Sequence, residues 1–251
     1  MTPLASPLVS FRSVSYHFGR KGILRNLSFD VEAGETLVLL GRSGSGKTTV
    51  LKLVNGLLLP SEGEVLVEGM PTTAWDPIRL RRRMGYVIQE AGLFPHFTVA
   101  ENVGLVPRLE GWPQQDINRR VAGLLTQVEL PPTEFAHRYP RELSGGQRQR
   151  IGVARALAAD PPLLLFDEPF GALDPITRVE LQGQFLALRR DLGKTAIFVT
   201  HDVREALLLA TRVGLVHEGR LEVLTTPSEF LRAQGDEVRA FLSCLDDKGD
   251  I

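Results

Sequence analysis

"GRSGSGKTT", Gly41 to Thr49, decides how the rest of the chain is read. It matches G-x-x-x-x-G-K-[ST], a pattern in which glycines let backbone N–H groups curl around a phosphate. The flanks agree with that reading. Leu37 to Leu40 is a continuous apolar run, as expected of a strand buried on both faces. Thr48 to Leu58 reads as a helix. A strand, a glycine-rich turn and a helix in that order place free N–H groups and the positive end of a helix dipole around an anion. Gly41, Arg42, Ser43, Gly44, Ser45, Gly46, Lys47, Thr48 and Thr49 are therefore candidate phosphate-binding residues. Lys47 places its ammonium between the β- and γ-phosphates, and Thr48 offers its hydroxyl to Mg²⁺.

Further along, "LLLFDEP" begins as a second buried strand and ends in two acids, Asp167 and Glu168. Acids at the carboxyl end of a parallel strand face the crevice where ligands bind. Asp167 is the candidate to hold Mg²⁺ through its water shell, and Glu168 to orient and deprotonate a water. On these two elements alone a nucleotide kinase fits as well as a hydrolase. A third stretch, "ELSGGQRQRIGVARALAAD" (Glu142 to Asp160), sets a hydroxyl and two glycines before another predicted helix. That is a second anion site in a chain that already has a better one.

The totals are ordinary for a globular protein. The chain has 251 residues, 43% apolar and 24% charged, with a net charge of −1. The near-zero charge carries no electrostatic footprint for nucleic acid or anionic lipid. The lone Cys244 makes no internal disulfide and fits a reducing compartment. No apolar run is long enough to span a membrane, and the N-terminus lacks a basic region followed by an apolar core. These features predict a cytoplasmic protein that reaches a membrane only by docking on other chains.

The patterning predicts one domain over 1–251: a β-rich front and phosphate-loop core (1–88), a helical lobe (89–158), a returning core (159–225) and a C-terminal helix and tail (226–251). Within it, strands are expected at Gly85–Ile88, 162–166 and Thr195–Thr200, helices at 175–192 and 202–211, and a hairpin at "VHEGRLEVL". Thr226, Pro227 and Glu229 form the capping signature of a last helix, and "DDKGDI" is expected to fray. Arg148, Arg150 and Arg155 are expected on a solvated face or beside acids.

"LSGGQ" (143–147), the two elements above and "VTH" (199–201) together resemble the ATP-binding cassette family, over residues about 8 to 225 and in that family's order and spacing. The resemblance implies an α/β fold: a P-loop NTPase with a RecA-like core, an antiparallel β subdomain and an inserted helical subdomain. It implies ATP and Mg²⁺ as ligands. Gln89 matches the Q-loop, which reaches Mg²⁺ and the attacking water. Ala172, Leu173 and Asp174 match the D-loop, with Asp174 communicating across a dimer. His201 matches the switch histidine on the γ-phosphate, Glu168 the general base, and Phe18, 23 residues before Gly41, the aromatic that stacks on adenine.

The resemblance also answers the puzzle of the second anion site. In such cassettes two subunits pack head to tail, and Leu143, Ser144, Gly145, Gly146 and Gln147 serve the ATP held by the partner. A homodimer is implied, with two separate transmembrane permease subunits meeting Leu93, Phe94, Pro95 and His96, and an external solute-binding protein acting through them. Such a protein sits on the inner face of the plasma membrane. "GYVIQEAGLFPHFTVAENV" and "FDEPFGALDPITRVELQ" look most like ATPases of importers for glycine betaine, choline and related osmoprotectants. Taurine, nitrate, methionine, phosphonate and amino acid importers use related cassettes and remain open, as does a repair-type clamp of the same family. Many osmoprotectant ATPases carry C-terminal nucleotide-sensing modules. The sequence stops at Ile251, so regulation by them is not expected.

Overall fold

The computed structural model describes residues 6–89 and 91–246, with the backbone alone at 188–192 and 246. The predicted frayed tail lies almost wholly outside the described residues. The first stretch of chain holds β1 (Val9–Phe18), β2 (Lys21–Val31), β3 (Thr36–Leu40), α1 (Lys47–Val54), β4 (Glu62–Val67), β5 (Met70–Pro71) and α2 (Pro77–Arg82). The middle holds β6 (Met84–Val87), α3 (Val99–Val103), α4 (Leu105–Leu109), α5 (Gln114–Gln127), α6 (Pro132–Phe135), α7 (Gly145–Leu157), β7 (Leu163–Asp167) and α8 (Pro175–Leu192). The last part holds β8 (Thr195–Thr200), α9 (Val203–Leu209), β9 (Arg212–His217), β10 (Arg220–Thr225), α10 (Pro227–Phe230) and α11 (Asp236–Asp246).

The chain divides into two compact units, Met1–Leu80 with Lys194–Ile251, and Arg81–Gly193. In the first, β1 pairs antiparallel with β2 and β4, and β4 with β5. Phe11 and Phe29 stack across β1 and β2 with ring centroids 4.5 Å apart. The same unit holds a run in which β3 lies between β8 and β9, parallel to both, with β10 returning antiparallel to β9. All five residues of β3 and all six of β8 are buried, which is why both read as near-continuous apolar runs. Because Leu40 pairs with Thr200, the carboxyl ends of β3 and β8 are level. That register sets Gly41 and His201 at the same end of the sheet.

In the second unit β6 and β7 pair in parallel. Helices α3, α5 and α7 pack by burying Val99, Val103, Ile117, Val121, Leu124, Ile151 and Leu157. Asn102 on α3 is fully buried and organises the loop before that helix. Its amide donates to the carbonyls of Phe94, Phe97 and Thr98 at 3.0–3.1 Å and accepts from the Phe94 N–H at 2.8 Å. Thr98 and Glu101 close a capping box on the same helix.

Asn102→Ala removes these partners from the part-buried Phe94 N–H and Phe97 carbonyl, while the Phe94 and Thr98 carbonyls keep backbone donors, at a cost of about 1–3 kcal/mol. Asn102→Asp, which accepts but cannot donate, is expected to lose as much. Urea unfolding followed by circular dichroism measures both.

Candidate functional site

The phosphate loop is assembled within the first unit. β3 delivers Gly41, and a Cβ there would lie 2.3 Å from the Val216 carbonyl oxygen of β9. Gly46 has φ +106°, and its Cβ would meet the Leu24 side chain of β2 at 2.5 Å. Gly44 has φ +80°, a conformation glycine adopts without strain. Lys47, only 4% exposed, turns back over the loop and donates from Nζ to Gly41 O at 2.7 Å and Arg42 O at 2.9 Å. Ser45 N closes the turn on Arg42 O at 3.2 Å. The loop is therefore a ring held by an ammonium.

The ring suits a phosphate. The buried Ser45 hydroxyl has no hydrogen-bond partner among the described residues. Helix α1 starts without a side-chain cap and without an acid in its first turn, so nothing negative opposes an anion at the positive end of its dipole. Ser43 and Arg42 are exposed, while Thr48 and Thr49 are half-buried on the first turn of α1.

His201, exposed, follows the last residue of β8. The turn beneath it is held on both sides. Thr200 Oγ1 donates to buried Glu205 at 2.6 Å and accepts from Asp202 N at 3.0 Å, and the Asp202 side chain caps α9. Phe18 ends β1 and is 75% exposed, so it is a presented aromatic rather than a core residue. This unit thus collects Phe18, the residues 41–49 and His201.

The second unit collects the remaining candidates. Asp167 ends β7, and its Oδ2 accepts from the Tyr86 hydroxyl of β6 at 3.1 Å. Burial, and then the Asp167 charge, push the Tyr86 phenol well above its usual range. It therefore stays a donor at any physiological pH. Sequence reasoning missed Tyr86. Its only signal is a hydroxyl in a short apolar strand. Glu168 follows with φ +45°, a left-handed conformation that non-glycine residues adopt at a cost and that clusters at functional sites. The Gln89 amide nitrogen lies 3.1 Å from where a Cβ on Gly171 would be, against the turn that Gly171 N closes on the Glu168 carbonyl. Gln89 and Glu168 are thus neighbours through that turn.

The stretch 143–147 opens α7. Ser144 is its N-cap and forms a capping box with Gln147: Gln147 N donates to Ser144 Oγ at 3.2 Å, and Ser144 N to Gln147 Oε1 at 2.9 Å. Leu143 is buried behind it. Asp174 accepts from Thr177 N at 3.0 Å at the start of α8, and this bond holds its carboxyl below the usual range. Thr177 in turn abuts Gly146, where a Cβ would lie 2.5 Å from its Cγ2. The first turn of α8, which holds Asp174, therefore touches Gly146 through one methyl group.

Of the three arginines expected on a solvated face or beside acids, Arg148 is exposed and Arg150 meets acids, whereas Arg155 departs from the expectation. Arg155 is half-buried and donates to the carbonyls of Gly92 at 2.8 Å and Ala91 at 2.7 Å, and desolvation lowers its pKa. Arg148 donates to Leu143 O at 2.9 Å. Arg150 has acid partners, Glu129 and Glu180. Leu93 is half-buried, whereas Phe94, Pro95 and His96 are exposed. Beside them a cleft of about 310 Å³ is lined by Tyr86, Phe94, Leu105, Val106 and Arg155 among others.

A family model described as ABC transporter matches residues 24–171. The chain belongs to the ABC transporter family. It is 49% identical over 225 residues to the choline transport ATP-binding protein OpuBA of Bacillus subtilis (strain 168), covering 90% of this chain and 58% of that one. It is 50% identical over 212 residues to the osmoprotectant import ATP-binding protein OsmV of Salmonella typhimurium, covering 84% and 56%. The chain thus spans less than two thirds of the length of these relatives. Among solved structures it resembles the dimeric post-hydrolysis state of the ATP-binding cassette MJ0796 bound to ADP and Pi, with a TM-score of 0.77 and 33% identity over 87% of this chain and 98% of that one. The fold is accordingly the mixed α/β cassette that the motifs predicted.

For this cassette the contact between Gly146 and Thr177 separates two glycines that the motif makes look alike. A Cβ at Gly145 meets nothing closer than 4.0 Å, so Gly145→Ala is expected to be neutral or to stabilise by up to about 1 kcal/mol. Gly146→Ala is expected to destabilise by about 1–3 kcal/mol. Thr177→Ser, which removes the offending methyl, is expected to restore most of that loss. Thermal unfolding of the three variants and the double mutant is the measurement.

Proposed function

We propose that the protein is the ATP-hydrolysing subunit of an importer for a glycine betaine- or choline-type solute. The observation that carries the ATPase part is the ring at Lys47. A buried ammonium shared between two loop carbonyls, beside an uncapped helix start, is prepared to exchange those carbonyls for phosphate oxygens. The exposed loop at Phe94, Pro95 and His96 supports the transport part, since apolar side chains left in solvent beside a cleft suit a docking permease. The solute class rests on the likeness to OpuBA and OsmV, whose names specify choline transport and osmoprotectant import.

In this reading Lys47 and the N–H groups of the loop bind the β- and γ-phosphates, and Phe18 stacks on adenine. Glu168 takes the proton of the attacking water. Gln89 and His201 hold that water and the γ-phosphate in line. Mg²⁺, when bound, neutralises charge on the phosphate oxygens. Thr48 and Asp167 would hold it, and a hydroxyl with one carboxylate suits a hard cation that keeps most of its waters. Tyr86 orients Asp167 by donating to one of its oxygens.

Ser144, Gly145 and Gly146 serve the ATP of a second copy, with Asp174 at the same interface. This follows the dimeric state of the cassette it resembles. Among the described residues no helix is long and apolar enough to cross a membrane. The path for solute belongs to two permease subunits, with an external binding protein feeding them and this protein on the inner face of the plasma membrane.

Glu168→Gln is expected to bind MgATP, to lose hydrolysis by a factor of at least about 10², and to sediment as an ATP-held dimer. A monomer at saturating MgATP would count against the sandwich. The solute is tested by uptake of labelled glycine betaine and choline in cells lacking other osmolyte importers, with wild type or Lys47→Ala as the sole copy at matched expression. Uptake is expected with wild type and not with Lys47→Ala. Equal uptake in both would remove this solute class.

A further inference from the structure

Helix α11 lies outside the segment that the family model matches, and no step proposed above uses it. Its first turn nevertheless reaches the phosphate loop. Glu237, with its side chain 10% exposed, accepts from Arg42 Nε at 2.7 Å and from Arg42 Nη2 at 3.1 Å. This is a bidentate fork, the arrangement that fixes orientation as well as adding attraction. The Arg42 hydrogen bond holds the Glu237 carboxyl below its usual range, so the acid is ionised at neutral pH.

Arg42 is also the residue on which the cradle closes. Its carbonyl accepts Lys47 Nζ at 2.9 Å and Ser45 N at 3.2 Å. One residue therefore shapes the ring with its backbone and is tethered to α11 by its side chain. The tether has a second support, because His217 Nδ1 lies 3.4 Å from Glu237 Oε1. His217 follows Val216, whose carbonyl leaves no room for a Cβ at Gly41. The far end of α11 is held as well: Arg204 on α9 donates to the Cys244 and Leu245 carbonyls at 3.2 and 3.4 Å. Helix α9 is the one that follows His201. Thus α11 bridges the first turn of the phosphate loop and the helix behind the switch histidine.

We propose that Glu237 is a positioning residue for nucleotide binding: through Arg42 it fixes the first turn of the phosphate loop and makes α11 part of the cradle. The proposal rests on the reading of Gly41 to Thr49 as a nucleotide site. Its alternative is an ion pair that merely fastens α11 to the surface. That alternative leaves the loop indifferent to Glu237.

The test compares the whole chain as wild type, Glu237→Gln, Arg42→Gln and the double variant. ATP binding with magnesium is measured by titration calorimetry, and backbone hydrogen exchange over residues 41–48 is measured without nucleotide. Glu237→Gln, which keeps size and loses charge, is expected to raise the Kd for ATP roughly 3–10-fold, in the range of coupling energies for contacting groups. It is also expected to speed exchange in the loop while β3 and β8 keep wild-type protection. The double variant is expected to bind no more weakly than Arg42→Gln alone.

Unchanged loop exchange and affinity in Glu237→Gln would overturn the proposal. So would additive losses in the double variant, or exchange that rises in β3 and β8 together with the loop. A wild type that failed to bind ATP would instead sink the nucleotide reading, and loop exchange in the nucleotide-free protein would still decide whether Glu237 holds the turn.

Discussion

A buried ammonium must be hydrogen-bonded, and much of the first unit is arranged around that requirement at Lys47. The loop can offer its Gly41 and Arg42 carbonyls only by curling tightly over the side chain. Curling requires Gly41 to press on the Val216 carbonyl and Gly46 to press on Leu24. Those neighbours are supplied by β9 and β2, so the ring has its shape only when β3 is seated beside β9 and β2 passes below. The five fully buried residues of β3 set that seating through the hydrophobic effect. Packing of apolar strands thus becomes a charge poised for phosphate. The loop carbonyls satisfy Lys47 in the meantime, so the loop holds its form without a ligand, and a phosphate would take their place on the ammonium.

A comparable economy appears along α7. Its N-terminus carries the Ser144–Gln147 capping box. Two turns later its other face holds the turn after Gln89: Gln149 donates to Ile88 O at 3.4 Å, Gly152 packs on Ala91, and Arg155 takes the carbonyls of Ala91 and Gly92. A turn without regular structure has backbone carbonyls to satisfy. A guanidinium with its fan of donors meets two of them at once. The segment bearing Gln89 and the segment bearing the signature are consequently borne by one helix. The two segments therefore share one packed support.

What could be read in advance was whatever is encoded locally. The buried strands announced themselves as apolar runs, β8 and α8 fell at their predicted bounds, and the box at Thr226 and Glu229 was legible from three residues. The glycines, lysine and acids of the candidate site were visible because their spacing is itself the pattern. Other features depend on which strands or helices become neighbours, and spacing does not carry that. Tyr86 meets Asp167 only because β6 and β7 are paired. Arg155 looked solvated because its partners are loop carbonyls, which leave no mark on periodicity. Helix α1 stops at Val54 rather than running to Leu58; Gly56, at φ +64°, follows the Asn55 C-cap, and a glycine at that place is a stop signal that the apolar "LLL" concealed. The C-terminal helix and tail over 226–251 were read without separating α10 from α11, and the role of α11 shows only once Arg42 and Arg204 are known to lie beside it.

The two helix starts that look alike in sequence are built for different duties. At α1 no side chain caps the helix, and the residue at the turn is a lysine already folded onto the loop. At α7 the capping box occupies two N–H groups, those of Ser144 and Gln147. It leaves the Ser144 hydroxyl hydrogen and the Gly145 and Gly146 N–H groups of the first turn as the donors. The first start carries a full positive charge and the means to shape itself around several phosphate oxygens. The second is rigid, uncharged at its tip, and barred by Thr177 from having any side chain at Gly146. A rigid, weaker anion site beside a charged, adaptable one is redundant if both serve one nucleotide. It becomes economical if the charged loop retains the nucleotide and the rigid one recognises only a phosphate already presented by another copy. On that argument the capped start of α7 and the uncapped start of α1 would be complementary halves of one binding event between copies.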